Sequence, residues 1–303
     1  MECKQRICNI DIKETLSVLG IVLSKNVTIV TVTYNSMAVL PNMLKSIPKE
    51  TEIIIVDNAS SDAAELKRLA ENSNATLIFN KKNKGFGEAC NQGAAIAKTE
   101  FIFFLNPDAR IENSTLIELE KAAKDNPNAL AMNPKIVKSN GKPYFKRRSH
   151  LIDRASWMGR GWPIGNCLVN ILSGAALFIR TQAFYAVGGW DENIFLYHEE
   201  DDLCLRLKGL GGDLLFVHDA RVQHIRGASS PPSKEGSYFK GWHMGRSRVY
   251  ATRKHNRPFP RSIALVESIL QICSPLSIIS SRKRSKNWGY LKGVISEWNV
   301  QKY

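Results

Sequence analysis

Four short runs rich in β-branched and aromatic residues constrain this chain more than any other feature: VTIVTVT (27–33), EIIIV (52–56), TLIF (76–79) and FIFFL (101–105). None alternates apolar with polar residues, so each predicts a strand covered on both faces. Helical patterns lie between them at 37–47, 62–72 and 87–97, and Asp62 and Glu65 have the spacing of a capping box. Strands alternating with helices of this length imply βαβ units, a mainly parallel sheet and right-handed crossovers. The expected fold class is therefore α/β, a Rossmann-like mixed, mainly parallel sheet flanked by helices.

Ligands of such sheets bind at the carboxyl ends of the strands. Those ends read Tyr34-Asn35-Ser36, Asp57 to Ser60, Asn80 to Gly87 and Asn106-Pro107-Asp108. Any one is explained by a turn or a cap; four polar ends on one edge point to a binding site. Asn106 and Asp108 can face one hard cation, although an Asx turn accounts for the same pair. The segment 80–93, NKKNKGFGEACNQG, is neither a dinucleotide fingerprint nor a Walker loop, yet its glycines and lysines before a helix suit an anion.

Farther along, strands are expected at 172–180, 213–217 and 221–225, and helices at 181–187 and 199–208. Residues 139–170 lack a period and read as a long loop. The helix at 199 opens with four acids, Glu199-Glu200-Asp201-Asp202. A helix N-terminus favours acids, but Glu200 also falls on the stripe of Leu203, Cys204 and Leu207. It is expected to point inward as a general base, with Asp201 directed away and Asp202 paired to Arg206. His224, at a strand end, is a structural histidine or a metal ligand.

The net charge of +14 is concentrated at one end: from Arg221 onward there are 16 Lys or Arg and 3 acids. Cations at 246–261 and 281–286 are interleaved with Trp242, Tyr250, Phe259, Trp288 and Trp298. That pattern suits an amphipathic helical region lying on an anionic membrane surface, or a solvated, charged helix pair. Residues 1–26 read as a helical extension without signal-peptide character, and the apolar stretch 263–279 is too short and polar to span a bilayer. Six scattered cysteines without a CxxC pair imply reduced thiols and no zinc site.

These motifs, in this order, resemble those of the family 2 inverting glycosyltransferases of GT-A fold, particularly the bacterial rhamnosyltransferase-like branch. VTIVTVTYNS, IIIVDNASSD, NKGFGEACNQG, FIFFLNPDA, LSGAALFIR, GGWDENIFLYHEEDDLCLR and VQHIRGAS carry the resemblance over about two thirds of the chain. It implies a GT-A domain at 27–230, with a nucleotide-sugar half (27–110) and an acceptor half (111–230), followed by a basic C-terminal helical region at 231–303. It further implies that Thr33, Asn35 and Asp57, with Asn58 close by, hold the nucleoside. Asn83, Gly85 and Asn91 would line the diphosphate-sugar region, and Asn106 and Asp108 take the DxD position, with His224 facing the metal. The family's base falls on Glu200, preceded by Glu199; here Glu replaces the usual Asp, so either the pocket compensates or Glu199 shares the role.

The resemblance also implies the reaction: an inverting, Mg²⁺- or Mn²⁺-assisted transfer from a dTDP- or UDP-sugar, with L-rhamnose or a related hexose as the sugar. The acceptor would be a hydroxyl of a lipid-linked or other glycan, met at the cytoplasmic face of the cell membrane. A non-catalytic sugar-nucleotide binder is an alternative that the two motif departures would suit. A basic nucleic-acid-binding protein is another, but it leaves Glu200 and the polar strand ends unexplained, and nucleic acid is not an expected partner.

Overall fold

The computed structural model describes residues 26–225 and 233–297. Strands β1 (Val27–Thr33), β2 (Glu52–Asp57), β3 (Thr76–Phe79) and β4 (Phe101–Leu105) form the parallel order 3-2-1-4, alternating with helices α1 (Leu40–Leu44), α2 (Ala63–Asn72) and α3 (Phe86–Ala94). The sheet then continues through β5 (Ala109–Ile111), β6 (Ala129–Lys138), β7 (Pro143–Tyr144), β8 (Cys167–Leu168), β9 (Ala176–Arg180) and β10 (Asp213–His224). Its main path is β3-β2-β1-β4-β9-β6-β10-β5, with β7 paired to β6, β8 paired to β10, and β9 antiparallel to both β4 and β6.

The unalternated runs behave as their composition predicts. Phe101, Phe103 and Leu105 enter one core with Ile53 and Ile55, while Ile102 and Phe104 enter a second core with Ile54 and Val56. On the first face lie α1, α2 and α4 (Thr115–Asp125). On the second lie α3, α5 (Thr181–Ala186) and α6 (Glu199–Gly209). Burying each such side chain contributes about 1.5–3 kcal/mol, so both layers are needed to hold one strand.

Several expectations shift. The 172–180 strand begins only at Ala176, because Ser173 to Ala175 turn over a cleft at the strand ends. The two strands expected at 213–217 and 221–225 are one strand, irregular in register between Val217 and Arg221. Asp62 stands at the helix N-cap but its side chain makes no capping bond. The expected helical extension at 1–26 lies outside the described residues, apart from Asn26, as does Trp298.

Beyond the sheet, helices α7 (Lys234–Lys254) and α10 (Ser281–Ser296) run parallel, joined by a return segment containing α8 (Pro260–Ile272) and α9 (Pro275–Ile279). Gly241 and Gly245 on one helix and Gly289 and Gly293 on the other let the backbones meet: a Cβ at Gly245 would collide with the Tyr290 carbonyl oxygen. This pair is docked onto the α/β body. His243 stacks on Phe195 at 4.0 Å, Ser247 Oγ donates to the Leu196 carbonyl, and Lys254 and His255 reach Asp202. Among the described residues no helix is long and apolar enough to cross a membrane.

Candidate active site

The order 3-2-1-4 makes the gap between β1 and β4 a topological switch point, where a crevice opens beyond the strand ends. Thr33 and Asp57 are register partners at the ends of β1 and β2, both buried, and the Asn58 amide donates to the Thr33 carbonyl. Asn35 adopts φ 52°, a conformation Asn tolerates, and its Oδ1 accepts from Ser61 N and Oγ. Asp57 accepts from Ser60 N.

Several of the residues expected to line the ligand are engaged in bracing this wall. Asn58 donates to the Gly85 carbonyl and accepts from Asn80 Nδ2 and Lys84 N, so its side-chain amide is engaged in shaping the 80–85 turn. Gly85, at φ 87°, owes its lack of a side chain to Phe195, whose carbonyl oxygen would lie 2.5 Å from a Cβ there. Asn91 bonds both the N–H and the carbonyl of Trp190 and also Glu192, pinning the segment that leads into the acidic helix. Asn83 accepts from Gly85 N and closes the same turn.

After β4 the chain makes a tight turn closed by the backbone bond from Ala109 N to the Asn106 carbonyl, which leads into β5 and sets Asn106 and Asp108 on either side of Pro107. The antiparallel pairing of β5 with β10 sets His224 opposite Ala109, and His224 Nε2 lies 3.0 Å from Asp108 Oδ1. A carboxylate beside an imidazole is a donor set that fits a divalent ion. No group of three His, Cys, Asp or Glu suited to a metal occurs among the described residues, so phosphate oxygens and water would complete the coordination.

Opposite this pair, α6 begins after two successive non-glycine residues in the left-handed region, Tyr197 (φ 69°) and His198 (φ 70°). Such a conformation costs on the order of 1 kcal/mol or more per residue and persists here because it aims the helix start into the cleft. Glu199, Glu200, Asn106, Tyr197 and His224 all line one cavity of about 250 Å³. Asp108, through His224, is its neighbour.

The four acids are sorted by their partners. Lys146 Nζ lies 2.7 Å from both Glu200 Oε1 and Asp201 Oδ1. Asp201 therefore does not point away: it is 3% exposed, enclosed by Lys146 and His198. Although burial opposes ionisation, the Lys146 ammonium and the hydrogen bond with His198 hold its carboxyl well below the usual range. Lys146 is held protonated in turn, because Asp201 and Glu200 outweigh the burial that lowers it. Asp202 pairs with Arg206 as expected and also with Lys254 and His255, which overcome burial and bring it to about 2.

Glu199 is the odd member. Burial, followed by the charge of Glu200, pushes its carboxyl well above the ordinary value, and its Oε2 has no hydrogen-bond partner among the described residues. Glu200 Oε2 is likewise buried and unpartnered among the described residues, while Oε1 is held by Lys146 and the residue itself lines the cavity. Lys146 is the residue sequence reasoning missed. Its signal is a run of cations, Lys146-Arg147-Arg148, in an aperiodic stretch.

Comparison with known proteins places the chain in a family. A family model described as glycosyl transferase family 2 matches residues 28–188. An N-acetylglucosaminyl-diphospho-decaprenol L-rhamnosyltransferase of Mycobacterium tuberculosis is 26% identical over 292 residues, covering 85% of this chain and 94% of that protein. A dTDP-rhamnosyl transferase of Shigella flexneri is 27% identical over 216 residues, covering 69% and 72%. Among solved structures, residues 1–349 of TarS from S. aureus superpose with a TM-score of 0.53 at 16% identity, covering 90% of this chain and 91% of that one. A mannosyltransferase of Pyrobaculum calidifontis, solved with GDP-Man and Mn²⁺, gives 0.54 at 14% identity, covering 90% and 86%.

Proposed function

The chain belongs to glycosyl transferase family 2, and from that membership we propose that it transfers a sugar from a nucleoside diphosphate to an acceptor hydroxyl with inversion, using Glu200 as base. The observation that carries the reading is the meeting of Glu200 and the Asp108–His224 pair at one cavity. Glu200 lines the cavity with its carboxylate steadied by Lys146, whereas burial and the charge of Glu200 raise the Glu199 carboxyl well above its ordinary value and favour its protonated form, which makes Glu199 the poorer proton acceptor. The extra methylene of Glu relative to Asp is accommodated by Lys146, which holds one carboxylate oxygen from the side.

In this reading Thr33, Asn35 and Asp57 meet the nucleoside, Asn58, Asn83, Gly85 and Asn91 keep that wall in shape, and Asn106, Asp108 and His224 face the diphosphate. A divalent ion held by Asp108 and His224, Mg²⁺ or Mn²⁺, supplies neutralisation of the charge that builds on the leaving diphosphate. The relatives' names favour dTDP-rhamnose as donor and a lipid-linked glycan as acceptor, with a UDP-linked sugar as the alternative donor. Residues 27–230 serve as the transferase unit, divided near 110, and 231–303 as a basic helical region.

That region also suits a place on an anionic cytoplasmic leaflet. Ile263, Val266, Leu270, Ile278 and Ile279 are exposed on the return segment, next to Arg261, Arg282 and Lys283. The central test is Glu200→Gln with a dTDP- or UDP-sugar. Turnover is expected to fall by about 10²–10⁴-fold while donor binding, read by calorimetry with Mn²⁺, persists. Retained turnover assigns the base elsewhere.

A further inference from the structure

Residues 135–160 carry eight Lys or Arg and a single acid, Asp153. That acid is paired with Arg257. Lys146 is committed to Glu200 and Asp201, and Lys135 to His218. Arg147 is fixed by its guanidinium, which donates to the carbonyls of Gly159 and Gly161 and lies over the Phe145 ring. Arg148 rests over Trp157, whose Nε1 donates to the Ser149 carbonyl. Neither Arg148 nor Arg160 meets a carboxylate among the described residues.

Lys146, Arg147, Arg148 and Arg160 line a second, open basin of about 540 Å³. It shares Tyr144 with the cavity of Glu200, and Lys146 links the two by its ion pair. The basin does not include Asn106, Asp108 or His224, so its cations are separate from the groups assigned to the donor's diphosphate. Guanidinium groups pre-set by rings and carbonyls lose little freedom on binding an oxyanion, and they match phosphate geometry. Uncompensated cations in a recess next to a catalytic carboxylate attract an anionic part of the other substrate.

We propose that this basin binds a phosphate or diphosphate ester carried by the acceptor, with the accepting sugar lying across Tyr144 and its hydroxyl at Glu200. The inference rests on the transferase reading and adds to it an acceptor class and the residues that select it. Arg148 and Arg160 select the anion directly; Arg147 shapes the rim, and Lys146 couples anion binding to the carboxylate it holds.

The test is calorimetry of inorganic pyrophosphate with the full chain in excess chelator, so that no metal-dependent donor site competes. Wild type is expected to bind, Arg148→Ala/Arg160→Ala to bind about ten-fold or more weakly, and Asp108→Ala to bind as wild type. Both arginines are exposed and without ion pairs among the described residues, so the double variant should keep its unfolding temperature. No binding by wild type, unchanged binding by the double variant, or loss in Asp108→Ala each overturns the proposal. Nucleoside diphosphate binding with Mn²⁺, measured on the same proteins, separates the two readings: the double variant keeps it, and its absence in wild type would sink the donor reading alone. Vesicles of phosphatidylglycerol distinguish a lipid surface from an acceptor ester, since a double variant that loses vesicle binding but keeps pyrophosphate also overturns the proposal.

Discussion

On one wall of the cleft the amides of Asn58, Asn80, Asn83 and Asn91 bond to backbone and to one another; on the other, Glu200, Asp201 and Asp202 are held by Lys146, Arg206, Lys254 and His255. Amides make neutral, directional bonds that fix a shape without biasing protonation. Ion pairs fix position and charge together, so the second wall sets which acid is ionised as well as where it lies. The amide wall suits recognition of a shape; the charged wall suits proton transfer.

Asp108 is the carboxylate that breaks the pattern of the first wall, and its substitution gives the largest expected effect there. Asp108→Ala should lower turnover by about a thousand-fold and abolish stimulation by Mn²⁺, read in steady-state assays across a metal titration. Lys146→Met sharpens the contrast on the second wall. It should reduce kcat by about ten-fold or more with little change in donor KM, and move the acidic limb of the pH–rate profile upward, because the cation favouring ionised carboxylates is gone. An unmoved limb would make Lys146 a mere packing residue.

Asn58→Ala tests the amide wall. It leaves the Gly85 carbonyl and Lys84 N–H without their partner at a buried position, for about 2–3 kcal/mol of stability by chemical denaturation. Donor KM should rise and kcat should hardly change.

The smallest effect concerns docking of the C-terminal helices. Burial and then Arg246 push His243 down to about 4 from 6.5, so its contribution is intact above pH 6.5 and is lost as pH falls toward 4. The unfolding midpoint should decline across that window, and His243→Phe should shrink the decline. Asp202, lowered to about 2, adds a separate loss only below about pH 4.

These two walls were unequally legible. The strands and their polar ends could be read because burial on both faces leaves an unalternated local run, and because the residues after each strand are contiguous in sequence. Asn58 and Asn91 were picked out as residues, but their bracing role depends on Gly85 and Trp190, far away in the chain. The acidic helix shows the limit most clearly. A helical wheel finds the stripe of Leu203, Cys204 and Leu207, all buried as expected, but it assumes that polar residues face water. Asp201 is buried because Lys146 comes to it from 55 positions away, in a segment with no periodic signal. Averaging charge over the first 220 residues likewise hid the cations of 135–160, since acids elsewhere cancel them.

The glycine contacts between α7 and α10 fix the course of everything between them. Two helices running the same way oblige the chain to travel back along their outside, through residues 255–280, before the second can start. That passage is tied at both ends by a seam too tight to slide, and its exposed side chains are those of Ile263, Leu270 and Ile279 rather than of the cleft. It is therefore a handle: a fluorophore or a short tag inserted there would report on what the outside of the molecule touches while the transferase chemistry runs undisturbed.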